Sequence, residues 1–352
     1  MSPAIVGIGC IGGFGTGQAA LMTALQTGPP PPESVAIDTV AGQLTVPGFR
    51  ADTAPLKAVG DRRFIRRTDP FSRMALLAGH LALADARDRG LVDPPFGRLG
   101  ILVGTGYGAT CNTFDFEGLI AEPEPISPIR FSNSVHNAAA AHLAAFFDAP
   151  GPCLTINQLD MSVVTALSTA DLWLREGRCD AVLVGGVDAF SYVAAYHRHS
   201  GGVETDTPVV GEGGAFFVLT SGAGVERPHA LIDAIETGRV GTVSPPSSRD
   251  GEIYITAEGT LDPAGLLPSD ARRVSYERLY GRIPVGAAFD LAIAALSIGA
   301  GCLFSPDKPG RTEPLDPATG KLQCFRAGAD GQWGRITVSA PSGPTINRRS
   351  GA

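Results

Sequence analysis

Asp160 lies in the stretch LTINQLDMSVVTAL (Leu154–Leu167), where an apolar strand pattern gives way to a helical one. A turn of this kind holds its side chain against the unpaired N–H groups of a helix start, a usual place for a nucleophile. Here the turn reads Asn157-Gln158-Leu159-Asp160 and offers a carboxylate, not a thiol or hydroxyl. A second spacing with chemical meaning is Gly7-x-Gly9-x-x-Gly12. It matches a dinucleotide loop, but the following LMTALQTGPPPPESV supplies no second strand ending in an acidic residue, so a structural turn is expected. His136 and His142 are six apart, a poor spacing for a shared metal face on one helix, and are read as core or capping residues. The cysteines at 10, 111, 153, 179, 302 and 324 are scattered without a CxxC pair. No zinc site or disulfide framework is expected, and a reducing cytoplasm fits that usage.

The elements that must position Asp160 follow from composition and pattern. The chain has 352 residues, 44% of them hydrophobic, enough for a large core in two packed halves. A net charge of −7 with 18% charged residues excludes a nucleic-acid binder, which needs a basic face. No apolar run reaches the roughly 18 residues of a membrane helix, and MSPAIVGIGC lacks a basic leader. Buried strands are expected at Ala4–Gly15, Gly97–Ala109, Cys153–Asn157, Ala181–Phe190 and Gly211–Thr220. Helices are expected within 61–90, within Phe131–Phe147, after Asp160, and at Val285–Gly301. Arg62, Arg63, Arg66 and Arg67 read as a solvated face.

Several stretches together resemble the β-ketoacyl synthase family of the thiolase superfamily. They include IVGIGCIGGFGTG, RRTDPFSRMALLAGHLALADA, ILVGTGYGA, FSNSVHNAAAAHLA, GPCLTINQLDMSVVTALSTADLWLREGRCDAVLVGGVD, GEGGAFFVLTSG and GRIPVGAAFDLAIAAL, in the family's order. The resemblance implies an α/β, thiolase-like five-layer αβαβα fold of two similar halves. They are placed at 1–225 and at 226–352, the second shortened and divergent. It also implies a dimer acting on acyl chains held by an acyl carrier protein. The family's chemistry uses a Cys at the elbow and two His. Overlaying its motifs puts Asp160 at the Cys position, Glu258 (in YITAEGT) at the first His, and Arg282 (in GRIPVGAAFD) at the second. The last histidine of the chain is His229, so residues 230–352 supply neither. The family's Gly/Phe-rich C-terminal loop is reduced here to SAPSGPTI (Ser339–Ile346). An acyl group on Asp160 would be a mixed anhydride, far more labile than a thioester.

The resemblance therefore implies a catalytically inactive subunit of chain length factor type, with no cofactor and no metal. It would pair as a heterodimer with an active ketosynthase and shape the acyl tunnel in polyketide or fatty-acyl assembly on a carrier protein. No nucleic-acid or membrane partner is implied. Gln158 lies two residues short of the position where aromatic-type factors carry a Gln. By family position the tunnel gate falls at Tyr107, Cys111, Phe114 and Phe116, with core packing as the alternative. The dimer face falls at Phe131, Ser134, Val135, His136 and Asn137 with Thr155, Ile156 and Asn157. Asp160 facing Arg282 would be neutralised. Two other readings stay open. One is a hydrolase, dehydratase or cyclase built on an Asp160/Glu258 carboxylate pair. The other is a pure interaction scaffold.

Overall fold

Strand β1 (Ala4–Gly12) and helix α1 (Pro70–Asp88) lie almost in backbone contact. A Cβ on Gly7 would sit 2.1 Å from the Ala82 carbonyl oxygen, and one on Gly9 2.1 Å from that of Ala78. The two glycines thus admit an alanine-faced helix against the sheet, and the GxGxxG spacing runs inside a strand, not around a phosphate. The turn expected at this spacing is therefore a strand, and the glycines serve close packing. The helix is set locally: the Asp69 carboxylate accepts from Ser72 N at 2.9 Å and Pro70 fills the first turn. These relations come from a computed structural model. It describes all residues except 1, 40–41, 91–96, 121–126, 202–208, 223–224, 226, 243–251, 259–265, 269–270, 317–319 and 342–352.

The first half contributes β1, β2 (Leu99–Thr105), β3 (Cys153–Asn157), β4 (Ala181–Asp188) and β5 (Gly213–Thr220). The second contributes β6 (Ala230–Arg239), β7 (Ile253–Thr256), β8 (Arg272–Val274), β9 (Lys321–Ala327) and β10 (Gln332–Ser339). The strand order is β8-β7-β9-β10-β6-β1-β5-β4-β2-β3. Within each half, the first strand pairs antiparallel with the last, the last antiparallel with the fourth, and the remaining pairings are parallel. The halves share one topology. They join through a short β1–β6 ladder, Ala4↔Leu231 and Ile5↔Ala230.

Between the two sheets run helices α3 (Ser162–Arg175) and α4 (Gly286–Ala300), buried among residues of both halves. The α4 sequence GAAFDLAIAALSIGA is apolar on nearly every side, as a central helix requires. Outside the first sheet lie α1 and α2 (Ala138–Phe146). This is the thiolase-like α/β fold of two similar halves. Its second half departs in one respect: among the described residues, no helix lies between β6 and β8. The outer face there is closed instead by Tyr254, Leu266, Leu267, Phe325 and Trp333.

His229 opens β6, and its Nε2 lies 2.6 Å from Asp85 Oδ2 on α1, while Ile8 N donates to the same oxygen at 2.8 Å. The last histidine of the chain therefore ties the two halves and is remote from Asp160. The arginines of helix Arg62–Arg67 are exposed, and the Asn133 side chain meets His142 Nε2 at 3.0 Å. No helix among the described residues is long and apolar enough to cross a membrane.

Candidate functional site

The turn after β3 is fixed from below. Gln158 N donates to Ser162 Oγ at 2.8 Å, and that hydroxyl reaches the Thr105 carbonyl at 2.7 Å. A Cβ on Gly104 would come within 3.0 Å of Ser162, so β2 must carry glycine there. Leu159 adopts φ +45°, a left-handed conformation that costs a leucine about 1–2 kcal/mol, and its side chain is 58% exposed. The strained elbow thus persists and delivers Asp160.

Asp160 lines a cavity of about 350 Å³ with Tyr107, Leu159, Glu277, Arg282, Arg326 and the turn Ala327–Gly331. Burial pushes its carboxyl above the ordinary range; Arg326, then Arg282, pulls it back. The turn roofing the cavity is tied to the elbow. Gln158 Nε2 donates to Gln332 Oε1 at 2.6 Å, while Gln158 Oε1 accepts from Thr165 Oγ1 at 2.8 Å. Gln158 is thereby a latch with both ends of its amide engaged. The turn bordering the cavity is Ala327–Gly331. The expected Ser339–Ile346 loop begins at the end of β10, and its residues from 342 on lie outside the described residues.

Beneath the cavity sits a charge network that sequence reasoning missed. Arg326 Nε donates to Asp290 Oδ2 at 3.0 Å, Nη2 to the same oxygen at 2.5 Å, Nη1 to Glu277 Oε1 at 3.1 Å, and Nη2 also reaches the Tyr280 hydroxyl at 2.7 Å. Tyr280 donates to Asp290 Oδ1 at 2.7 Å. All four side chains are buried. Burial pushes the Asp290 and Glu277 carboxyls up, and Arg326 draws both back. The signals were a lone Asp in the apolar helix GAAFDLAIAALSIGA and a lone Arg in the strand KLQCFRA.

A second missed residue is Asp188, fully buried at the end of β4. Its carboxylate accepts from Thr105 Oγ1 at 2.6 Å, Gly106 N at 3.0 Å and Tyr107 N at 2.9 Å, shaping the turn that carries Tyr107. Burial outweighs these donors and pushes its pKa up to about 6. Burial, Asp188 and Asp160 raise the Tyr107 phenol to about 12, so it is neutral at pH 7.

Arg282 and Asp160 share the cavity, but no ion pair within 4 Å joins them among the described residues; Arg282 Nη1 instead reaches the Glu258 carbonyl at 3.3 Å. Glu258 turns away. Its Oε1 meets Arg278 Nη2 at 3.2 Å, and it lines a separate groove. Asp160 and Glu258 therefore face different spaces, and the carboxylate beside Asp160 is Glu277. Of the expected gate residues, Tyr107 faces the cavity. Cys111 Sγ approaches the Phe190 carbonyl at 3.5 Å, Phe114 is 57% exposed, and Phe116 packs on Phe131 with ring centroids 5.6 Å apart. Phe131, Val135, His136, Asn137 and Asn157 are exposed; Ser134, Thr155 and Ile156 are half-buried. Thr155, Ile156 and Asn157 lie on β3, which has a free edge among the described residues.

Among the described residues, the cavity lining holds the Asp160 carboxylate at the elbow and carries neither His nor Cys. No group of three or more metal-ligating side chains occurs among the described residues. The family "Beta-ketoacyl synthase, N-terminal domain" matches residues 4–223, and the chain belongs to the β-ketoacyl synthase family. A Streptomyces virginiae protein named as polyketide β-ketoacyl synthase 1 is 26% identical over 246 residues, covering 62% of this chain and 57% of that protein's length. Polyketide synthase PksL of Bacillus subtilis is 29% identical over 147 residues, 36% of this chain and 3% of that protein. Among solved structures, the ishigamide ketosynthase/chain length factor aligns with a TM-score of 0.72 at 21% identity, covering 97% of this chain and 99% of that one. A β-ketoacyl synthase from Burkholderia phymatum STM815 aligns at 0.73 with 16% identity, covering 97% and 99%. A type II polyketide acyl-carrier protein in complex with its ketosynthase aligns at 0.68 with 13% identity and the same coverage. At these identities the structural likeness establishes the fold.

Proposed function

We propose that this chain is a non-condensing ketosynthase-family subunit of chain length factor type, pairing with an active ketosynthase in polyketide or fatty-acyl assembly on an acyl carrier protein. One observation carries the reading. The elbow survives, yet among the described residues it presents Asp160 in a cavity with no Cys or His, and of the two cations there Arg326 is already bound to Asp290 and Glu277. A thioester cannot form on Asp160. The decarboxylation that yields the attacking carbanion needs donors at the thioester oxygen, for which this lining holds no imidazole.

Pairing is supported by the free edge of β3 and the apolar groups around it. Phe131, Val135, Leu154 and Leu159 are 57%, 39%, 43% and 58% exposed. Thr155 Oγ is shielded yet has no hydrogen-bond partner. A free sheet edge flanked by exposed apolar groups is a surface that another chain covers. Of the expected gate, Phe116 lies against this face through Phe131, which suits a group felt by a chain passing along the interface. The division at 225/226 belongs to the same reading, falling between the end of β5 at Thr220 and the start of β6 at Ala230.

The test is co-expression of the tagged chain with an active ketosynthase from the same host and native mass spectrometry of the purified species. A one-to-one complex is expected. A homodimer that ignores the ketosynthase would overturn the reading. Hydrolysis or dehydration of a carrier-bound acyl chain by the lone chain, lost in Asp160→Asn, would move it to an enzymatic one.

A further inference from the structure

A second cavity system, mainly on the second half, shares no lining residue with the cavity of Asp160. Its larger part is a polar groove of about 700 Å³ bordered by Arg272, Arg273, Arg278, Lys308 and Arg311. Three carboxylates face the same groove, Glu258, Asp307 and Glu313. Among the described residues, five cations against three carboxylates leave this groove positive in a chain whose formal net charge is −7. Arg272 is committed to Glu313, with Nη2 2.8 Å from Oε1, and Arg278 is held by Glu258 at 3.2 Å. Lys308 and Arg311 are exposed, and among the described residues no ion pair holds either. Ser275, Ser305 and Thr312 add hydroxyl groups.

The groove does not end at its polar wall. Ser275, Arg278, Ser305, Pro306 and Asp307 also line an adjoining cavity of about 270 Å³. That annex is bordered by Leu25, Pro29, Leu279 and Pro309, with the Tyr276 hydroxyl turned away to the Phe304 carbonyl at 2.5 Å. A cationic groove that shares five lining residues with an adjoining apolar annex is complementary to one class of ligand.

We propose that this composite site binds a small amphiphile with a phosphate head and a short alkyl or acyl tail. The head lies between Lys308 and Arg311, exposed cations held by no ion pair within 4 Å among the described residues and able to offer charge-assisted hydrogen bonds, and the tail enters the annex. The combined size falls within that of small-molecule sites. The inference is independent of the chain length reading, because it uses none of the residues around Asp160.

Isothermal titration of the full chain with inorganic phosphate, pyrophosphate, and butyl, hexyl and octyl phosphate tests it. Affinity is expected to rise along the alkyl series, by up to about fourfold per methylene. A Lys308→Glu/Arg311→Glu variant should bind octyl phosphate about tenfold or more weakly while its unfolding midpoint is unchanged. Affinity independent of tail length overturns the annex. Undiminished octyl phosphate binding in the double variant overturns the site and places the ligand elsewhere. Capture by anionic vesicles without binding of the free amphiphile overturns the proposal in favour of a membrane surface.

Discussion

Arg326 Nη2 lies 2.5 Å from Asp290 Oδ2, with both side chains shielded from water. Glu277 completes the group at 3.1 Å, so one guanidinium serves two buried carboxylates. The cavity beside Asp160 thus rests on two carboxylates that burial pushes up and Arg326 draws back. Asp160 sits above them with burial holding its carboxyl up, which is a poor setting for a nucleophile.

Removing the cation should be costly. Arg326→Met leaves Asp290 and Glu277 buried without their cation, and urea unfolding at pH 7 should show a loss of about 3–5 kcal/mol. Adding Asp290→Asn and Glu277→Gln should restore most of it, since a neutral floor has no uncompensated charge. A single-variant loss under about 1 kcal/mol would show that the network does not stabilise the fold.

Asp188 gives a pH signature whose sign is fixed by its pKa of about 6 against an ordinary value of 3.8. Between those values the folded chain holds a proton that the unfolded chain has released. Stability from this group is therefore full below pH ~4 and is lost as pH rises through ~6, by up to ~3 kcal/mol. The difference in unfolding free energy between the parent and Asp188→Asn should shrink by that amount from pH 4 to 7. Asp85 acts in the opposite sense. Burial raises it, but His229, Ile8 N and Arg89 bring it below the usual range, and this contribution cancels in the difference. A flat difference would mean that Asp188 ionises normally.

The sequence made the first half legible because its strands are continuous apolar runs and α1 repeats apolar groups at helical spacing. The central helices follow from the same rule. The elbow and Asp160 were legible as well, since a strand-to-helix switch is a local pattern. The floor was not. Arg326, Glu277 and Asp290 come from three elements, and only the packing of α4 against β9 brings them together. Glu258 and Arg282 show the converse. Motif position put them beside Asp160, yet their side chains divide between the cavity and the basic groove, because Arg278 draws Glu258 outward.

Restoring the thiol should not restore chemistry. In Asp160→Cys the elbow geometry and the N-terminus of α3 remain, but among the described residues no imidazole lines the cavity. A malonyl-loaded carrier protein offered to this variant should release no carbon dioxide above the parent's background. Cysteine alkylation at 160 without decarboxylation is the expected pair of results. Measurable condensation would refute the inactive reading.

The gate assignment makes a separate claim. Phe116→Ala, which opens the contact with Phe131, should lengthen the product of the reconstituted complex, and Phe114→Ala should do so if the exposed ring also meets the chain. Product mass is the readout. Unchanged length in both variants would leave these rings as ordinary packing.

The interface claim can be isolated from folding. Phe131 and Leu154 are 57% and 43% exposed, so changing them to Glu removes little of the chain's own core. The unfolding midpoint of Phe131→Glu/Leu154→Glu should stay near that of the parent, since surface changes of this kind shift stability by about 0.5 kcal/mol or less. If these side chains are covered in the complex, the same charges must be buried against the ketosynthase without partners. Two such carboxylates cost several kcal/mol, so the one-to-one species should vanish from the native mass spectrum. A complex that survives both charges would place the partner on another face and leave the free edge of β3 to water.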